Sequence, residues 1–257
     1  SNAILIRDFR IYSRNKGYFN ASIIYVSILC AIAFGALWFA DTSKKPLNPE
    51  YGSNIFSILI ISMSLAIYSI CPAFAVNITS SEKNNIDLIK PTLLRNYQII
   101  LSKISAIIAN IFVLILLSFP IMISIMPICG FALKGLSNCY LIIFISALTF
   151  GMIGVMWSSI FSRTTAISAT YISVGILSLG TILTPLIMSK IVKIKLSLNI
   201  VNVLNALSPF WILSKKISET NLSDKIFIIP LWLFPILVYF FISTITIVLT
   251  FIFVRKW

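Results

Sequence analysis

Six stretches of the chain are apolar for about 20 residues or more, the length a helix needs to cross a bilayer core. They cover roughly residues 19–40, 54–76, 104–126, 139–161, 166–188 and 226–254. The spacing predicts an all-α integral membrane protein with six transmembrane helices. Pro72, Pro120 and Pro185 fall inside these runs, and each removes a backbone donor and kinks its helix. Pro230 and Pro235 fall in the first turns of the last run, where proline is tolerated or marks a bend. Ahead of the first run, residues 4–16 alternate differently. Leu5, Phe9 and Tyr12 share one helical face and Arg7, Arg10 and Arg14 the other. That pattern predicts an amphipathic helix lying in the membrane surface; the plainer reading is a charged flank before the first span. Ser1-Asn2-Ala3 reads as a vector-derived scar, leaving 4–257 as a single membrane domain.

Between the fifth and sixth runs, residues 189–225 interleave apolar residues with Lys190, Lys193, Lys195, Asn199, Asn202 and Asn205. The three asparagines recur every third residue, a polar stripe on a helix. Ser208-Pro209 breaks it, and Phe210-Trp211 read as interfacial aromatics. The expectation is a broken helical segment at the outer face; the alternative is a simple surface loop.

The composition fits this layout. Of 257 residues, 59% are hydrophobic and 11% charged, against about 25% charged in soluble domains. Mean hydropathy is +1.01. A disordered chain is excluded on these grounds, and a soluble enzyme domain is disfavoured. Lysine and arginine number 20 against 7 acids. An even number of crossings places both termini on one side. That side would hold 11 of the basic residues, including all six arginines, and most of the opposing lysines fall in the long 189–225 loop. Long loops weigh little in orientation, so both termini are expected in the cytoplasm. The basic charge spreads over two membrane faces, which does not suit nucleic acid.

Chemistry-bearing groups are scarce. Histidine is absent, and with it the commonest general base and metal ligand. The six predicted crossings contain no Asp, Glu, Lys or Arg. Proton relays, voltage sensors and intramembrane hydrolases retain such groups, so these classes are disfavoured and no catalytic residues are expected. Cys129 and Cys139 flank one predicted loop and could pair or stay as thiols.

The connector 77–103 is the most informative polar stretch. Ser81 can cap a short helix, Glu82 and Asp87 favour its first turns, and Lys83 follows. Ile86 and Ile89, beside Leu88, form an apolar ridge, and Pro91 ends the helix before Arg95. Such a ridge suits a groove on another protein; a solvated connector is the alternative.

This layout resembles an ABC-2-type permease, the membrane subunit of an ATP-binding-cassette exporter. The resemblance spans nearly the whole chain. It rests on the basic surface helix, the six crossings, the Glu82-Lys83 start, the Ile86-Asp87-Leu88 core, the Pro91, Arg95 and Lys103 tail, and the Leu207-Ser208-Pro209-Phe210 run. Asn84-Asn85 stands where the family often has glycine. The resemblance implies that residues 81–95 dock on the ATPase, contacting it through Ser81, Glu82, Lys83, Ile86, Asp87, Leu88, Ile89 and Arg95. It implies two permease copies, two ATPases that carry the ATP and Mg, and a path favouring the second and fifth crossings. The chain has no GxxxxGK[ST] phosphate loop, so this subunit would hold no cofactor and would not itself be an enzyme. Its small size resembles permeases that export antimicrobial peptides, confer lantibiotic immunity or secrete phenol-soluble modulins. The expected cargo is an amphipathic peptide leaving a bacterial cell. The alternatives are another hydrophobic cargo, such as a drug or lipid-linked molecule, or an ion-coupled or passive carrier.

Overall fold

The computed structural model describes residues 16–42, 49–83, 96–126, 133–181, 183, 205, 207–218, 225–226, 229–230 and 233–254. Helix α1 covers Lys16–Thr42, α2 Pro49–Lys83, α3 Asn96–Ile125 and α4 Leu133–Ile160. Helix α5, Arg163–Gly175, runs directly into a π-helical segment, Ile176–Gly180. A short helix α6, Pro209–Ser218, precedes a two-residue antiparallel pairing of β1 (Lys225–Ile226) with β2 (Ile229–Pro230), and α7 covers Leu233–Val254. Apart from that pairing, the described residues are almost wholly helical. Helices α2, α3, α4 and α7 are long and apolar enough to cross a membrane, and α1 carries a shorter apolar stretch, Phe19–Gly35. By these helices the chain is a multi-pass membrane protein.

Helix α4 is the centre of the bundle. It packs on α2, α7, α5, α3 and α6, and 67% of its apolar window is buried, against 22% for α7. Small residues permit this. A Cβ on Gly154 would lie 3.0 Å from the Pro72 carbonyl oxygen, and one on Gly151 2.8 Å from Ile107 Cγ2. Glycine therefore lets the α2 backbone approach α4 directly, the usual means of helix association in lipid. Across the contact, Cys71 Sγ donates to the Ala147 carbonyl at 3.3 Å and Ser158 Oγ to that of Val76 at 3.2 Å. On the far side, the Tyr25 hydroxyl donates to the Leu114 carbonyl and ties α1 to α3. Large apolar side chains such as Phe34, Trp38, Phe112, Phe240 and Phe241 point outward, where acyl chains would meet them.

Several expected boundaries move. The second span continues to Lys83, so Ser81 lies in its last turn. The third helix begins at Asn96, which brings Lys103 inside it at 3% exposure. An apolar-run criterion stops at the first charge, whereas a helix continues where its neighbours bury the side chain. The last helix starts at Leu233, not at 226. Pro230 ends β2 ahead of it, while Pro235 sits in the first turn, where its missing N–H is no loss. Pro72 and Pro120 lie inside α2 and α3 as the sequence predicts. Cys139 is buried on α4. Cys129 and Pro185 lie outside the described residues.

Candidate functional site

Two places combine polar chemistry with breaks in regular structure. The first surrounds the feet of the 77–103 connector. Ser81, Glu82 and Lys83 form the last turn of α2. Ile86, Asp87, Leu88, Ile89 and Arg95 lie outside the described residues, as do Leu5, Arg7, Phe9, Arg10, Tyr12 and Arg14 of the expected surface helix. Just inside the connector, Thr79, Ser80, Ser102 and Lys103 are all buried. Phe74, Ile78 and Ala106 form a small apolar cluster there, separate from the main core. Next to it the chain turns from α4 into α5. Arg163 Nε donates to Asn77 Oδ1 at 2.9 Å, beside the Ser158 bond to Val76. The exit of α2 is thus tied to the α4–α5 corner by a side-chain pair and a hydroxyl-to-backbone bond.

An open groove of about 440 Å³ lies along the start of α5, lined by Phe161, Thr164, Thr165, Ser168, Ala169 and Ile172. Two of its hydroxyls turn back to local carbonyls, Thr165 Oγ1 to Ser162 and Ser168 Oγ to Thr164. That leaves mainly apolar walls. Trp157 stacks on Phe161 at 5.4 Å beside it, and its indole N–H donates to Ser173 Oγ.

The second place is a hub of tyrosines and hydroxyls in the middle of the bundle. Tyr68 on α2 shares a 2.6 Å hydrogen bond with Ser146 Oγ on α4. Its ring meets Phe150 edge-on at 5.0 Å and Phe210 of α6 at 5.5 Å. Phe150 in turn meets Tyr239 of α7 edge-on at 5.7 Å. These are the preferred geometries for aromatic quadrupoles. The Tyr239 hydroxyl donates to the Leu207 carbonyl at 2.8 Å, while its own backbone carbonyl accepts Thr149 Oγ1 at 3.1 Å. Ser208, fully buried, donates to the Ser178 carbonyl at 2.7 Å.

Two helices near this hub depart from a regular backbone ladder, and a hydroxyl from another element bonds close to each departure. Pro72 has no N–H for the turn before it, which opens the α2 ladder. The adjacent Ser69 carbonyl accepts the Tyr171 hydroxyl of α5 at 2.7 Å. The π segment of α5 is the second break, and Ser208 meets it. Of these features, the sequence marks Pro72 and Ser208-Pro209. It does not mark the π segment, since Ile176-Leu177-Ser178-Leu179-Gly180 reads as ordinary apolar helix. Phe210 and Trp211, expected as interfacial aromatics, are partly buried and pack against the main core. Of the expected asparagine stripe, Asn205 accepts the Ser208 N–H through its carbonyl at 3.0 Å; Asn199 and Asn202 lie outside the described residues.

Among the described residues no group of three His, Cys, Asp or Glu could hold a metal ion. What the arrangement offers is mechanical: polar contacts at two helix breaks and a tie from the connector to α5. No protein-family model matches the chain, and no curated protein matches it.

Proposed function

We propose that this chain is the membrane subunit of an ATP-driven exporter of the ABC-2 type. In this reading α1, α2, α3, α4, α5 and α7 are six crossings, both termini face the cytoplasm of a bacterial cell, and α6 lies near the outer face. Two copies pair to form the path, and two ATPase chains supply ATP and Mg. Amphipathic peptides are the cargo. The connector 81–95 takes the push of ATPase closure.

The observation that carries this reading is the tie at the connector's foot. A subunit with no energy source of its own needs a stiff route from the ATPase contact to its helices. The Arg163–Asn77 and Ser158–Val76 bonds link the exit of α2 to the start of α5 and the end of α4, respectively. ATP can then favour one helix arrangement through a differential binding energy at the connector. The resemblance set out from the sequence supports the same assignment.

Purification from native membranes tests it. A phosphate-loop ATPase should copurify in equal number, and transport in proteoliposomes should require ATP. Ile86→Asp should lower transport-linked ATPase stimulation by about tenfold or more, equivalent to about 1.4 kcal/mol of lost docking preference, while the membrane part stays folded. Solute movement by the purified chain alone, without ATP, would sink the assignment.

A second reading draws on Lys103, a lysine buried within α3. Ion-coupled carriers retain such charges on their pathways. Lys103→Met separates the two. The exporter keeps ATP-driven transport, whereas an ion-coupled carrier loses its coupling.

A further inference from the structure

A π segment shifts the backbone ladder from i−4 to i−5 and recurs where helices do functional work. In α5 this segment is Ile176–Gly180. Its Ser178 hydroxyl is used locally, donating to the Val174 carbonyl at 2.7 Å. The Ser178 carbonyl receives a bond from outside the helix, from Ser208 Oγ.

Ser208 is held firmly enough to act as a fixed point. Its N–H donates to the Asn205 carbonyl, and its own carbonyl accepts the Ile212 N–H at 3.3 Å. Pro209 opens α6 directly after it, with φ set by the ring. The residue before it, Leu207, is bonded through its carbonyl to the Tyr239 hydroxyl, and the residue two after it, Phe210, rests on Tyr68. The rest of the hub thus fixes the Ser208 hydroxyl from α2, α6 and α7, and that hydroxyl reaches the π segment that continues α5.

We propose that Ser208 is a latch on the π segment of α5, whose hydroxyl holds the segment in place until the hub rearranges. Releasing the Ser178 carbonyl lets the extra residue of the π turn move along the helix, because the ladder there is already out of register. A shift of this kind displaces residues 176–181 relative to α4. That this displacement opens a transport path rests on the exporter reading; the latch itself does not.

Hydrogen exchange read by mass spectrometry on the full chain in lipid nanodiscs tests the latch without nucleotide or partner. Ser208→Ala should speed amide exchange in residues 176–181 about three- to tenfold, the range for losing one net hydrogen bond. Exchange in α4, residues 143–155, should stay unchanged. If Ser208→Ala does not yield a folded chain, Ser208→Cys decides, since a thiol is only slightly larger than the hydroxyl and donates only weakly. Unchanged exchange in 176–181, or an increase shared equally by α4, overturns the latch. In proteoliposomes with the copurified ATPase, the released latch should raise ATP-independent leak. Local exchange that rises in a chain whose transport never depends on ATP refutes the exporter reading and leaves the latch standing.

Discussion

Replacing Gly154 by leucine will drive α2 away from α4 and destabilise the centre of the bundle. The first side-chain carbon alone would sit 3.0 Å from the Pro72 carbonyl oxygen, 3.2 Å from Ala75 Cβ and 3.4 Å from Val76 Cγ2. The nearest of these atoms is backbone and cannot rotate aside. Overpacking of a dense site costs about 1–3 kcal/mol. Separating the helices also strains the Ser158–Val76 and Cys71–Ala147 bonds. A total loss near 3 kcal/mol corresponds to a melting midpoint lower by about 6–12 °C for a chain of this size. Fluorescence-detected size exclusion after heating in detergent reads it. Gly35 is the control, because a Cβ there meets nothing within 4 Å; leucine at 35 should leave the midpoint in place. If both variants melt alike, α2 and α4 do not meet at Gly154.

Tyr68→Ala will be the most damaging single truncation in the hub, and Tyr68→Phe will be mild. Tyr68 is 4% exposed, and its ring is the one that joins α4, through Phe150, to α6, through Phe210. Removing a buried aromatic ring costs about 3–5 kcal/mol through the cavity it leaves. In lipid that cost comes from lost packing, since water exclusion no longer drives the contact. The hydroxyl is worth less, despite its 2.6 Å bond. Ser146 Oγ also donates to the Ile142 carbonyl at 2.6 Å, so phenylalanine leaves it satisfied. Interhelical hydrogen bonds in membranes average about 0.6 kcal/mol. The same melting measurement on both variants tests this order, and equal losses would place the anchor in the hydroxyl and not in the ring.

The contrast between these residues shows what was readable beforehand. The apolar runs located α1 to α4 closely, because bilayer thickness converts run length into helix length. They missed the ends. Thr79, Ser80, Ser102 and Lys103 look like connector residues by polarity, yet all four are buried in helices. The apolar pattern also did not separate Tyr239, 2% exposed, from its neighbour Phe240, 63% exposed. Both belong to one continuous apolar run. Ser208-Pro209 stood out as a break. Its partner did not, since Ser178 lies 30 residues earlier in a stretch whose sequence reads as ordinary apolar helix.

From the order of residues alone come the membrane-spanning character of the chain, the approximate helices and the positions of the proline breaks. All of these depend on transfer of apolar segments into a bilayer and on local backbone chemistry. Only the folded chain decides which faces are buried, that α4 is central, and that Tyr68, Phe150, Tyr239 and Ser208 form one hub. The reason is that lipid tails are as apolar as leucine. Inside a membrane, hydrophobicity directs insertion but not packing, and packing falls to small residues, ring shapes and hydroxyls whose partners lie far along the chain.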